Sequence, residues 1–293
     1  QLNDDSSGNV DENVLGTITS NGIAVTPDGS VTISGTPYDT VVLSAPSGQS
    51  VSEFEQSSLS QLAKLTASDA ELDDIFGNSV SISSDGSTAI VSAAGESNSS
   101  GAAYIFTRSG TTWTEQQKIQ ASDAEEDDNF GNSVSISADG NTVIIGAPFE
   151  DADNISGSGA AYIFTRSGGV WTEQQKIYPL GRNLFIRSLE NFGWSVSING
   201  TGDTAIVSTK RNDEGANDAG ATYIFTRSGG VWTEQAQIFS TDIEPNDRFG
   251  NSVSISNDGN TAIIGAPSED TIELESGAAY IFTRSGTTWT EQQ

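Results

Sequence analysis

The sequence predicts an all-β protein built from repeated units of four short antiparallel strands. Two phrases recur in a fixed order: FGNSVSIS or a close variant, then GAAYIFTRSG with WTEQQ after it. The phenylalanines that open the first phrase are separated by 54, 62 and 57 residues, at Phe76, Phe130, Phe192 and Phe249. No part of the unit has the apolar period of a helix. Four strands recurring every ~40–60 residues are typical of the blades of a β-propeller.

The second repeat illustrates the four strands in order. In SVSIS, from residue 133, apolar residues alternate with serine, as in a strand with one buried face. The Asp-Gly that follows favours a hairpin, and TVIIGAP is an apolar run expected to be covered on both faces. AAYIFTR, the turn SGG and VWTEQQKI complete the unit. We expect the serine-rich strand nearest the axis, where blades crowd, and the last strand at the outer edge, where Glu173 and Lys176 discourage aggregation.

One tryptophan and one tyrosine recur in every repeat. They are Trp113, Trp171, Trp232 and Trp289, and Tyr104, Tyr162, Tyr223 and Tyr280. Because aromatic residues supply much of the buried area of thin sheets, we interpret them as contacts between blades. A platform for stacking sugars is the alternative.

The phrases resemble the FG-GAP repeat, which forms the blades of the integrin α-subunit N-terminal propeller and of many bacterial surface proteins. The resemblance lies in Phe130-Gly131, Asp139-Gly140 and Gly146-Ala147-Pro148, with the same phrases in the last repeat, and covers residues 67–293. It implies a propeller fold, but it does not specify a ligand.

The resemblance also implies Ca²⁺ in the hairpin between the first two strands of a blade. Here those hairpins read SISSDGST, SISADGNT and SISNDGNT, with one carboxylate each. Ca²⁺ needs six to eight oxygen ligands, so we expect these hairpins to lack it and expect no cofactor. A separate acidic cluster, Asp123, Glu125, Asp127 and Asp128, remains a candidate for binding Ca²⁺.

The chain is predicted to form one propeller domain of five blades. Residues 1–13 are a polar arm, and residues 14–66 form a degenerate first blade, since GIAVTPDGSVTISGTP at 22–37 aligns without a gap on residues 133–148. Four clear blades follow at about 67–120, 121–178, 179–239 and 240–293. A count of four, with QLAKL closing the last blade, is disfavoured because that blade has its own outer strand. The family more often has seven blades, which leaves open a truncated ring or one completed by assembly.

Two segments are candidates for contacts with a partner. The loop at 178–191 carries Arg182, Phe185 and Arg187 where the other repeats are acidic, which suits a contact with a neighbour's acidic loops. Sequence drift in a single loop is the alternative. The arm has Leu2 and Val10 as its large apolar residues, and we expect it to dock on another copy of the protein by strand addition.

Composition excludes several functions. The net charge of −28 over 293 residues is expected to repel nucleic acid and anionic membrane surfaces. There is no cysteine and no histidine, so there is no disulfide and no Ser–His or Cys–His pair. No apolar run approaches the ~20 residues of a membrane span. The sequence also has no methionine, which fits an exported, processed chain or a fragment.

Together these features favour a non-enzymatic extracellular or cell-surface protein. We expect an interaction or structural role, as a self-assembling subunit of a surface fibre or adhesive structure. Its partner would be itself, or a surface protein or glycan. A lectin-like propeller with one sugar site per blade is the alternative, and a propeller hydrolase or lyase is a further one.

Overall fold

The structure is a computed structural model in which residues 23–25, 31–33, 63–152, 155–179, 190–214, 216–270 and 276–292 are described. The chain divides into two units, residues 1–62 and 63–293. In the first unit, β1 (Ile23–Val25) pairs antiparallel with β2 (Val31–Ile33). These strands fall where the alignment places the first two strands of a blade. Most of residues 1–62, including the arm, lie outside the described residues, and the fifth blade stays a prediction.

The second unit contains four four-stranded antiparallel sheets, as the sequence predicts. Blades are numbered from here on from the first clear repeat. The first consists of β3 (Phe76–Ile82), β4 (Thr88–Ala93), β5 (Ala102–Ser109) and β6 (Thr112–Ile119). The second consists of β7 (Ser133–Ile136), β8 (Thr142–Ala147), β9 (Ala160–Ser167) and β10 (Val170–Ile177). The last two consist of β11 (Phe192–Ile198), β12 (Thr204–Thr209), β13 (Ala221–Ser228) and β14 (Val231–Ile238), then β15 (Ser252–Ile255), β16 (Thr261–Ala266), β17 (Ala278–Ser285) and β18 (Thr288–Gln292). Strands pair in chain order within each blade. A four-residue helical segment, α1 (Glu96–Ser99), lies between β4 and β5.

The hairpin between the first two strands of a blade is held by its own aspartate. The Asp139 carboxylate accepts hydrogen bonds from the Ser137 hydroxyl at 2.5 Å and the Asn141 N–H at 3.0 Å. The same bonds in the preceding blade, led by the one from Ser83, lower the pKa of Asp85 to about 2. The aspartate of these repeated hairpins therefore forms the turn itself.

The first strands of successive blades are joined by serine hydroxyls. Ser79 Oγ accepts from the Val134 N–H at 3.1 Å, and Ser81 Oγ accepts from the Ile136 N–H at 3.2 Å. The next two seams repeat both bonds, from Val196 and Ile198 to Ser133 and Ser135, and from Val253 and Ile255 to Ser195 and Ser197. The sequence predicts these serines for their small size. In the structure their hydroxyl oxygens also accept hydrogen bonds from backbone N–H groups at the edge of the next blade's first strand.

The Phe-Gly phrase packs within its own blade and also joins that blade to the preceding one. Phe130 packs edge-on against Tyr162, with ring centroids 5.4 Å apart, and against Phe164 at 6.1 Å. Gly159 has a φ of +78°, and a Cβ there would overlap the Phe192 carbonyl group. This close approach allows Gly159 and Phe192 to form a parallel β-bridge between successive blades.

The recurring tryptophan lies between the outer strands of two blades. Trp171 is 2% exposed, and its indole N–H donates to Gln116 Oε1 at 3.2 Å. The Gln117 side chain accepts from the Trp171 backbone N–H and donates to the Trp171 carbonyl, at 2.9 Å each. The Arg166 guanidinium lies 5.5 Å from the indole centroid. Such burial leaves no face for a sugar, so Trp171 is a contact between blades.

Candidate functional site

A charged network recurs at one end of the blades. In the second blade, Lys176 Nζ lies 2.8 Å from Asp123 Oδ2 and 2.6 Å from Glu150 Oε1, and Tyr162 donates to Asp123 Oδ1 at 2.8 Å. Burial lowers the pKa of Lys176, but the bonds to the two carboxylates outweigh it and the net shift is upward. The first blade repeats the arrangement with Lys118, Asp69, Glu96 and Tyr104. The network thus belongs to the repeat.

The third blade replaces two charged residues of this network by amides, whose donors also reach Glu214 and Glu190. Gln237 stands where Lys176 does, and Asn212 stands where Glu150 does. The Gln237 amide donates to the Tyr223 hydroxyl at 3.0 Å, and the Asn212 amide donates to it at 3.2 Å. A pair of amides can therefore take the place of Lys176 and Glu150 around the same tyrosine.

Of the four residues that the sequence grouped as a Ca²⁺ candidate, Glu125, Asp127 and Asp128 line one pocket, and Asp123 does not. Asp123 contacts Lys176 and Tyr162, while the buried Asp128 accepts a hydrogen bond from the Glu125 N–H at 2.7 Å. Glu125 and Asp127 are exposed. In the described part of the chain no group of three or more acidic side chains is arranged to hold a metal ion. Calcium binding by these residues stays a prediction.

Asp128 should make the stability of the protein depend on pH. Burial raises its pKa to about 7, opposed by the bond from the Glu125 N–H and reinforced by the nearby Glu150 carboxylate. An aspartate has an ordinary pKa of 3.8, so the folded state favours the protonated form. This contribution to stability is complete below about pH 4 and is lost as the pH rises to about 7. We expect the melting temperature, followed by circular dichroism, to rise between pH 8 and pH 5.

The matched control is Asp128→Asn, which keeps an oxygen for the Glu125 N–H and is neutral at every pH. Relief of the overall −28 charge on acidification affects both proteins alike. The variant should therefore be more stable relative to the wild type at pH 8 than at pH 5. A difference in melting temperature that stays constant across this range would contradict the assignment.

The other site residues expected from the sequence are not placed. Leu2, Val10, Arg182, Phe185 and Arg187 all lie outside the described residues. Their roles in contacts with a partner remain predictions.

Described by itself, the unit of residues 63–293 presents an exposed apolar face at each end. Ile206 and Ile224 of the third blade are fully buried, yet the equivalent Ile263 and Ile281 of the last blade are 46% and 44% exposed. We call the latter two the trailing face. At the other end, Val80 and Ile82 are 66% and 56% exposed, and we call them the leading face. Their equivalents in the second blade, Val134 and Ile136, are each 6% exposed.

Hydrogen-bonding groups at the two faces are complementary as well. Ser252 and Ser254 are equivalent to the serines that accept hydrogen bonds from backbone N–H groups of the next blade. The described residues contain no blade after theirs. Val80 and Ile82 hold the positions whose N–H groups are capped in the later blades, and no described serine caps them. The trailing face therefore offers acceptors of the kind that the leading face lacks.

Comparison with known sequences identifies the repeat. The chain matches the FG-GAP repeat over residues 59–106, 113–164, 171–225 and 232–282. The protein belongs to the FG-GAP repeat family. No curated protein sequence matches it.

Solved structures similar to this FG-GAP chain are distant in sequence. A candidate 6-phosphogluconolactonase from Bacteroides uniformis is 13% identical, with a TM-score of 0.47, covering 92% of this chain and 62% of its own. Hydrazine synthase from Kuenenia stuttgartiensis is 14% identical, with a TM-score of 0.45 over 75% and 49%. TolB from Acinetobacter baumannii is 12% identical, with a TM-score of 0.42 over 73% and 42%. The chain spans less than two thirds of each.

The residues of the two end faces were not anticipated from the FG-GAP sequence. Ile263 lies in TAIIGAP and the buried Ile144 lies in TVIIGAP, two phrases that differ in one residue. Only the position of a repeat within the array distinguishes an exposed isoleucine from a buried one. The helical segment at Glu96–Ser99 is four residues long, so no described helix of the FG-GAP array could cross a bilayer.

Proposed function

We propose that this FG-GAP protein is a non-enzymatic, extracellular structural protein that assembles head to tail into a surface fibre or adhesive structure. The observation that carries the proposal is the pair of exposed end faces. The leading and trailing faces correspond to the two surfaces that meet at each of the three internal seams. A second copy placed after the last blade would repeat a contact that the chain already makes three times.

The contacts at an internal seam specify what this interface would contain. Ile206 and Ile224 of the third blade share a buried cluster with Ile255 of the fourth blade. The partner copy would bring Ile82 to the matching place beside Ile263 and Ile281. Burying one such side chain contributes about 1.5–3 kcal/mol. Ser252 and Ser254 would accept from the partner's N–H groups at Val80 and Ile82.

The geometry of such a contact favours extension. A head-to-tail contact joins two different surfaces, so every added copy leaves one free surface of each kind. Repetition gives a closed ring or an open filament, depending on the rotation per copy. Net charge opposes the contact at low ionic strength, and assembly should strengthen when salt screens the repulsion.

Several observations argue for a structural role over the alternatives. The clustered titratable groups around Tyr104 and Tyr162 recur in successive blades and bond to one another, whereas a catalytic site is usually singular. Trp171 and Trp232 are buried at 2% and 3% exposure, which argues against repeated sugar platforms. Location at the cell surface is inferred from the family, whose members include integrin α-subunits and many bacterial surface proteins.

The test uses two variants of the full chain that block opposite faces. Ile263→Glu/Ile281→Glu places charge on the trailing face, and Val80→Glu/Ile82→Glu places it on the leading face. All four side chains are more than 40% exposed in the described unit, and circular dichroism of each variant checks that the monomer is folded. At physiological salt or above, the wild type should form oligomers in size-exclusion chromatography with light scattering, and each variant alone should be monomeric.

Mixing the two variants gives the decisive result. Each retains the face that the other has lost, so an equimolar mixture should form a dimer that cannot extend. A wild type that stays monomeric at high concentration would overturn the proposal, and would indicate that another part of the same chain, such as the predicted blade of residues 14–66, covers the leading face. Variants that assemble like the wild type would also overturn it.

A further inference from the structure

The third blade and the start of the fourth depart from the repeat by gaining positive charge in several places. Lys210 and Arg211 occupy the positions of Pro148 and Phe149 in the second blade. Arg248 directly precedes the Phe-Gly of the fourth blade, at the position that Asn129 has in the second. Trp194 replaces an asparagine, found as Asn78, Asn132 and Asn251 elsewhere. These changes lie in three separate segments of the chain.

The fold brings these segments together at the seam between the third and fourth blades. Lys210, Arg211 and Arg248 line one cavity of about 140 Å³ together with Asp218 and Asn246. Its two loops are joined through the backbone, since the Asn246 N–H donates to the Asn217 carbonyl at 3.0 Å. The cavity is therefore built on paired main chain.

The lysine of this cavity is held in place. Lys210 Nζ lies 3.7 Å from the ring centroid of Trp194, within the range of a cation–π contact. Burial lowers the pKa of Lys210, and the charges of Arg248 and Arg211, which line the same cavity, lower it further. Trp194 thus orients a cation that two like charges would otherwise drive away.

No salt bridge within the described residues neutralises the positive charge of the cavity. In the described ranges, the ion pairs within 4 Å involve Lys118 and Lys176, and none involves Lys210, Arg211 or Arg248. Asp218 contributes one negative charge to the lining, which leaves a formal balance of two positive charges. A cavity with this balance, on a protein of net charge −28, is complementary to a dianion.

We propose that this cavity binds a tetrahedral oxyanion group, sulfate or phosphate. Four oxygens directed to different sides can meet three cations and the Asn246 amide around one cavity, whereas the two oxygens of a carboxylate lie in one plane. The inference is independent of the proposed self-assembly, because it rests on the seam between two blades of one chain and not on either end face.

The test titrates the full chain with sodium sulfate and with inorganic phosphate, followed by calorimetry and by melting temperature. Sodium chloride at equal ionic strength is the control for general screening. Sulfate or phosphate should bind at one site per chain and raise the melting temperature, and chloride should not reproduce the rise. An equal effect of chloride would overturn the proposal.

The loss variant is Arg211→Ser/Arg248→Asn, assembled from residues that other blades use at the same positions, Ser268 and Asn129. Arg248 has a φ of 58°, a conformation that asparagine tolerates well, so the variant should fold. Loss of two charge-assisted contacts should weaken binding at least about tenfold. Unchanged affinity in this variant would overturn the proposal.

Asp218→Asn provides a test in the opposite direction. Asp218 has a φ of 52°, which asparagine also adopts, and the substitution removes the negative charge of the lining. Binding should tighten by about threefold or more. A final arm compares free sulfate with a monosaccharide sulfate ester and its unsulfated sugar. Tighter binding of the ester identifies a glycan-borne group, and tighter binding of the free ion identifies the ion itself.

Discussion

Replacing Trp171 by alanine is expected to lower the free energy of unfolding by about 3–5 kcal/mol. The indole is buried between two blades, donates to Gln116 and packs against the Arg166 guanidinium. Its removal leaves a cavity at a seam and breaks a hydrogen bond that joins neighbouring blades. Thermal unfolding should show a melting temperature lower by about 10 °C.

Trp289→Ala in the last blade is the matched control. Trp289 is half-buried. Gln117 and Gln175 form hydrogen bonds with the backbone of Trp171 and Trp232, and Ala236 occupies the equivalent position next to Trp289. Its loss should therefore cost clearly less than the loss of Trp171. A Trp171→Ala protein that melts like the wild type but loses a ligand would show that the tryptophan is a binding platform after all.

Lys176→Gln is expected to destabilise the protein by about 2–3 kcal/mol, because it leaves Glu150 without its cation. Glu150 is 7% exposed, and an unpaired buried carboxylate is costly. The estimate lies below that for a fully buried pair, since the Lys176 side chain is 20% exposed and Asp123 is 47% exposed. Urea unfolding at pH 7 measures the loss.

The third blade supplies the compensating change for this experiment. Lys176→Gln/Glu150→Asn reproduces the neutral pair Gln237 and Asn212, which surrounds Tyr223 in the same fold. The double variant should recover most of the stability lost in Lys176→Gln, with a coupling energy of about 1–2 kcal/mol. Additive losses would show that Lys176 and Glu150 do not act as a pair.

Much of the blade could be predicted from the sequence because its signals are local and repeated four times. The Asp139 hairpin, the alternation around Val134 and the turns after each YIFTR phrase are set by neighbouring residues. All four strands of the second blade accordingly lie where they were expected. The burial of Trp171 was also anticipated, because an aromatic repeated at a fixed position in a thin sheet has few other roles.

The acidic candidate for Ca²⁺ shows what this reasoning leaves open. Asp123, Glu125, Asp127 and Asp128 lie within six residues of one another, and proximity in sequence suggested one site. The loop directs Asp123 towards Lys176 and turns Asp128 inward. The course of the backbone decides where each of these two side chains points, and the residue types alone do not predict that course.

By itself, the sequence determined the repeat, the four-stranded blade and the residues that form each turn, because these depend on contacts within about 60 residues. Only the tertiary structure decided which copies of the same residue are buried. Ile144 and Ile263 differ in exposure because a blade follows one and no described blade follows the other. Likewise, Lys210 and Arg248 are 38 positions apart and share one cavity because successive blades stack side by side. A site between blades is created by that stacking and has no local signal in the chain.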